Sequence, residues 1–95
     1  MSITPAVKKI VLDVLKPHQP NALEFSLAIA AAGADYGVHL TVVEVDENTE
    51  TLQIVIEASA IDFDAIETAI KDMGGSVNSI DEVEVRNGGD LAGVS

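Results

Sequence analysis

Sixteen carboxylates, two histidines and no cysteine carry most of the chemical potential of this chain. Hard divalent cations take about six to eight oxygen ligands, and Asp and Glu gathered near loops can supply them. Two groups of carboxylates qualify. The first is Asp46 and Glu50 with Asn48 between them, where oxygens recur at alternate positions of a polar run. That spacing opens like a calcium loop, but the glycine and the distant Glu of an EF-hand are missing. The second group is Asp62, Asp64, Asp81 and Glu82. It forms if a helix starting at Asp62 begins at the sheet end where the last strand finishes. Both groups also have a plain structural reading. The first suits a solvated hairpin turn, and Asp62 and Asp64 suit a helix cap and the helix dipole without any metal.

Acid–base and nucleophilic chemistry has thin support. Only His18 and His39 can titrate near neutral pH. His18 lies in a loop between prolines, and His39 lies in a strand beside no evident nucleophile. Both read as surface or packing residues, as does Tyr36. No phosphate loop, Gly-x-Ser-x-Gly or His-Glu-x-x-His is present. The absence of cysteine excludes disulfides, thiolate metal sites and cysteine nucleophiles. The expectation is a protein with no catalytic residues and no organic cofactor.

The elements that must position these residues come from a short chain. Its 95 residues fill one small domain, and 47% hydrophobic content rules out a disordered acidic tail. A domain this size buries only about two-thirds of its unfolded surface, so a lone copy is marginally stable. A net charge of −11 disfavours nucleic acid and anionic membrane, which repel a polyanion. No apolar run approaches the roughly 18 residues of a membrane span. Met1 to Lys9 lacks the order of a signal peptide, so a cytoplasmic protein is expected.

Val7 to Leu15 reads as a strand stopped by Lys16-Pro17. Pro17 to Pro20 is a stiff connection. Asn21 with Glu24 resembles a capping box, and Leu23, Leu27, Ala30, Ala31 and Ala34 follow at helical spacing. Gly33 or Gly37 ends that helix. Val38 to Val45 and Leu52 to Ala58 read as two strands joined by the polar hairpin loop Asp46 to Glu50. In the first, Leu40, Val42 and Glu44 alternate with Thr41, Val43 and Val45. Asp62 to Met73 is a second helix with Phe63, Ile66, Ile70 and Met73 on one stripe, stopped by Gly74-Gly75. Val77 to Val85 is a fourth strand. Its apolar residues Val77, Ile80, Val83 and Val85 cannot share one face of a regular strand, which predicts a bulge or bend between Ser79 and Glu82. One domain over 1–86 is expected, with a glycine-rich flexible tail over 87–95.

The order strand, helix, strand, strand, helix, strand predicts an α+β ferredoxin-like βαββαβ two-layer sandwich. Right-handed crossovers place its antiparallel strands 4-1-3-2, with both helices on one face. The first strand is then central, and Lys9 is expected to pair with Glu57 across to the third strand. The open sheet face is expected to show Val11, Val43 and Val55, which points to a partner there.

Four motifs carry a family resemblance. They are Val11 to His18, Val45 to Glu50, Asp62 to Ile66 and Gly74 to Val83. In this order they resemble a small archaeal family known only as domain of unknown function 211. The resemblance implies a ferredoxin-like fold, homo-oligomers in rings, and divalent cations such as calcium. It implies no activity. It also implies histidine at the place of Asn78 and an acidic residue at the place of Gln19 in many relatives, and this chain has neither. A haloarchaeal source would account for the acidity, since molar salt shortens the Debye length to about 3 Å and screens self-repulsion.

The first expectation is thus a non-enzymatic, self-assembling domain that binds a divalent cation, calcium or another, through Asp46 and Glu50 or through Asp62, Asp64, Asp81 and Glu82. Its partner is a second copy of itself. The alternative is a sensor of a small-molecule ligand bound near the Lys16-to-Asn21 loop, on analogy with other domains of this fold.

Overall fold

The computed structural model describes residues 5–87. The elements run β1 (Pro5–Pro17), α1 (Ala22–Ala30), β2 (Gly37–Val45), β3 (Thr49–Glu57), α2 (Phe63–Asp72) and β4 (Ser76–Asn87). The strands form one antiparallel sheet in the order β2-β3-β1-β4. This is the expected ferredoxin-like α+β arrangement. The tail expected over 87–95 lies outside the described residues save for Asn87. Arg86 and Asn87 belong to β4, because β1 starts earlier than its apolar run and pairs Ala6 with Arg86 and Pro5 with Asn87.

Side chains of period two on β1 and β3 build one half of the core. Ile10, Leu12 and Val14 face Ile56, Ile54 and Leu52 directly across the ladder. Each fully buried side chain of this kind contributes about 2 kcal/mol. Ile66 and Ile70 of α2 cover them, with Phe63 and Met73 partly buried on the same stripe. Asp62 caps this helix by accepting from the Ala65 N–H at 3.3 Å. Gly74 ends it at φ 86°, a conformation that favours glycine.

The capping box of α1 forms as expected. Asn21 Oδ1 accepts from the Glu24 N–H at 2.9 Å, and Glu24 Oε1 accepts from the Asn21 N–H at 3.1 Å. The buried stripe is not the expected one. Phe25 and Ile29 enter the core, while Leu23 and Leu27 are 68% and 60% exposed. Residues two apart on a helix stand about 200° apart, so choosing Leu23 and Leu27 selects the opposite side. The helix stops at Ala30, three residues before Gly33. The Tyr36 ring lies against Gly33 and leaves no room for a Cβ there. Tyr36 accepts from the Asp62 N–H at 2.7 Å, so it is a packing residue that ties the first half of the chain to α2.

Bulges resolve the broken period of β4. Its pairs with β1 are Val77 with Val14, Ile80 with Leu12, Val83 with Ile10 and Val85 with Val7. Asn78 and Asp81 are extra residues in β4, and Lys8 is an extra residue in β1. The three insertions bring all four apolar side chains to the helix-facing side. Asp81 falls inside the expected window, and Asn78 falls just before it. A further irregularity between Val42 and Glu44 makes Val43 the extra residue of β2. It turns Glu44 to the open face and Val45 to the helix side, which reverses the expected alternation. Val11 and Val55 pair directly across on the open face, where Val11 is only 7% exposed, and Val43 at the bulge is 63% exposed.

Candidate functional site

The ladder carries one charged residue into the core. Lys16 continues the inward face of Ile10, Leu12 and Val14, and it is 0% exposed. Its ammonium donates to Glu50 Oε1 at 2.8 Å and to the carbonyls of Pro17 and Pro20 at 2.9 Å each. The His18 carbonyl lies at 3.4 Å. The Phe25 ring centroid is 6.0 Å away, at the limit of a cation–π contact. A charge this deep is tolerable only when paired and hydrogen-bonded, and these acceptors supply both. The Gln19–Pro20 peptide within the enclosing loop is cis.

Glu50 stands opposite Lys16 on β3. Its second oxygen meets His18 Nδ1 at 3.0 Å, and His18 Nε2 meets the Glu47 carbonyl at 2.9 Å. The bond from Lys16, helped by that from His18, holds the Glu50 carboxyl below its ordinary range. The bond to Glu50, followed by that to the Glu47 carbonyl, raises the His18 imidazole. One cluster thus joins β1, the loop 17–20 and the β2–β3 hairpin. Lys16 has its donors engaged by Glu50 and the loop carbonyls.

The sequence reading did not single out Lys16. The signal was its even spacing from Leu12 and Val14, which points it inward. It also placed Glu50 in a loop. β3 begins earlier than expected, at Thr49, so the turn is only Asp46 to Asn48 and Glu50 faces Lys16. Asp46 closes the turn by donating its N–H to the Thr49 carbonyl at 2.8 Å.

The second carboxylate group is not assembled either. Asp62 and Asp64 sit at the start of α2, while Glu82 pairs with Val11 and faces away from the helices. Asp81 is the bulge residue and accepts from the Ser79 hydroxyl at 2.7 Å. Among the described residues, no three of His, Asp and Glu stand together so as to hold a metal ion. The expected Lys9–Glu57 ion pair is replaced. The two are ladder partners, but Lys9 Nζ reaches Glu82 at 3.4 Å on the other side. Asn78 donates to Asp13 at 3.4 Å. His39 is exposed on β2, opposite Val55.

The loop proposed for a small ligand turns its carbonyls onto Lys16, and Asn21 is occupied by its capping box. Concavity lies elsewhere. A cleft of about 460 Å³ runs between α1 and α2, walled by methyl groups such as those of Ala28, Ala32 and Ala69. Asp62, Asp64 and Asp72 are its charged lining, with the Thr68 hydroxyl beside them. No helix among the described residues is long and apolar enough to cross a membrane.

Comparison with known proteins assigns the chain to a family. The family DUF211, described as uncharacterized ArCR, matches residues 8–89. The chain belongs to the DUF211 family. The match runs from within β1 through β4, and includes Lys16, His18 and Glu50. An archaeal relative is the uncharacterized protein MJ0319 of Methanocaldococcus jannaschii. It is 42% identical over 77 residues, which cover 81% of this chain and 79% of that protein. Neither description carries an enzymatic name. This archaeal-type DUF211 domain presents a ferredoxin-like fold whose most elaborate polar cluster joins Lys16, His18 and Glu50.

Proposed function

We propose that this domain is a non-enzymatic building block that assembles with copies of itself through the edges of its sheet. The observation that carries the reading is β4. Ile80, Val83 and Val85 lie on one side of this edge strand and are 48%, 52% and 52% exposed. The opposite edge, β2, exposes Val42, Val43 and Val45. Apolar rows at both ends of one sheet fit a heterologous contact, β4 of one copy against β2 of the next, which generates a ring when the rotation closes. The bulges at Asn78, Asp81 and Val43 disfavour an uninterrupted main-chain ladder across such a boundary. Side-chain packing is then the larger attraction.

The same contact brings carboxylates of like sign together. Asp81, Glu82 and Glu84 lie on one edge, and Glu44, Asp46 and Glu47 lie on or beside the other. A divalent cation such as calcium at the boundary relieves that repulsion and links metal to assembly. Light scattering on the purified chain, with calcium and with chelator, tests the reading. The expected mass is a multiple of 9.9 kDa, larger in calcium. The double variant Ile80→Asp, Val83→Asp is expected to run as a folded monomer. A wild-type monomer in both conditions would overturn the reading.

A further inference from the structure

The outer side of the helix layer is apolar where a lone domain has no use for it. Leu23 and Leu27 stand one turn apart on α1 and are both exposed. A single exposed leucine is ordinary, but these two adjoin a concavity. Ala31 lies one turn beyond Leu27 on the same side and lines the cleft of about 460 Å³ between α1 and α2. Ala28 continues that wall, and Ala65 and Ala69 stand on the α2 side. Alanines on both walls leave holes, so an occupant must bring the bulky side chains.

The α2 lip of this groove is polar. Asp64, Thr68 and Asp72 recur at i, i+4 and i+8, and all are exposed. A helix rises about 6 Å over four residues, so Asp64 and Asp72 stand about 12 Å apart along it. Asp64 suits the positive end of the helix dipole. Asp72 does not, because it is the last residue of α2, where the dipole disfavours a carboxylate. Folding gives no reason for an acid there. Among the described residues, no cation lies within ion-pair reach of either aspartate.

We propose that this groove docks a basic amphipathic helix of a partner protein, with its apolar stripe on Leu23, Leu27 and the alanine walls and its Lys or Arg row on Asp64 and Asp72. Equal rise keeps the two helices in register. Cations eight residues apart on a helix lying along α2 meet Asp64 and Asp72 together. A second copy of this chain fits poorly. Lys71 is the one cation on α1 or α2, so two helix layers would set like charges face to face. The net charge of −11 repels an anionic membrane and speeds encounter with a basic partner. The groove belongs to the helix layer and not to the sheet edges, so this inference stands apart from assembly.

Titration of the full chain with a synthetic peptide, followed by proton–nitrogen spectra, tests this. The peptide has about 16 residues, enough to span the groove at about 1.5 Å per residue. It carries leucines at i, i+4 and i+7, with lysines four residues apart beside that stripe. A scrambled peptide of the same composition keeps the charge and breaks both rows. Amide shifts are expected at Leu27, Ala31, Thr68 and Ala69, with affinity about tenfold tighter than for the scrambled peptide. Leu27→Ala and, separately, the pair Asp64→Asn, Asp72→Asn are each expected to weaken binding about tenfold. No shift at about 1 mM peptide, equal affinity for the scrambled peptide, or unchanged affinity in either variant would each overturn the proposal. Concentration-dependent shifts of the same residues without peptide would overturn it too, since they would place a second copy in the groove.

Discussion

Lys16→Ala is expected to lower the thermal midpoint by on the order of 15 °C, equivalent to about 3 kcal/mol in a domain of this size. The substitution removes a buried stem and leaves the Pro17 and Pro20 carbonyls without their donor. It also leaves Glu50 facing a core that no longer holds a cation. Lys16→Met separates these causes. It keeps the volume of the stem and loses the ammonium with its ion pair and hydrogen bonds, so more than half of the effect is expected to remain in it, and the difference from Lys16→Ala measures the lost packing. Melting followed by circular dichroism measures both. A second control distinguishes the cluster from simple surface repulsion. The chain carries −11, and removing a cation adds to that excess. Repulsion between exposed charges fades in about 1 M salt, where the Debye length is near 3 Å. The deficit of Lys16→Ala is expected to persist there. A midpoint within a few degrees of wild type, with or without salt, would mean that the ammonium organises nothing.

Phe25→Ala is expected to cost about 4 kcal/mol in urea denaturation. Phe25 is fully buried beneath the sheet and forms the wall beside the Lys16 ammonium. Its loss opens a cavity on which α1, β1 and the loop 17–20 all border. The contrast within one helix is the informative part. Leu23→Ala and Leu27→Ala lie on the opposite side, and each is expected to shift stability by no more than about 0.5 kcal/mol. Equal losses at Leu23 and Phe25 would show that α1 sits the other way round.

That contrast also shows where the sequence could be read and where it could not. β3 and α2 were legible because each presents one unambiguous stripe: Leu52, Ile54 and Ile56 at period two, and Ile66 and Ile70 at helical spacing. α1 is apolar on two opposite sides. Leu23, Leu27, Phe25 and Ile29 offer two stripes about 200° apart, and periodicity cannot choose between them. Volume chose, since the space under the sheet accepts the ring of Phe25. The element order was enough for strand order, because connection handedness leaves few alternatives. The polar cluster was harder. Lys16 looks like a strand terminator beside Pro17 unless the inward parity of the strand is carried one step further. Glu50 looks like a turn residue unless the register across from Lys16 is known. The face that Glu82 takes was set by the bulge at Asp81, which sequence alone places only to within a few residues.

The bulges have a consequence for how this strand tolerates change in length. In β4 each extra residue is an unpaired step, so Asn78 and Asp81 can be thought of as slack in the chain. Removing either one shortens the strand without altering which residue meets which on β1. Removing Glu84, a paired position, would instead turn Val83 or Val85 to the wrong side. Two chains of this architecture can thus differ by a residue at 78 or 81 and keep the same inner face. An alignment gap at those points is a change of contour, whereas a gap at a paired position such as Glu84 turns inner residues outward.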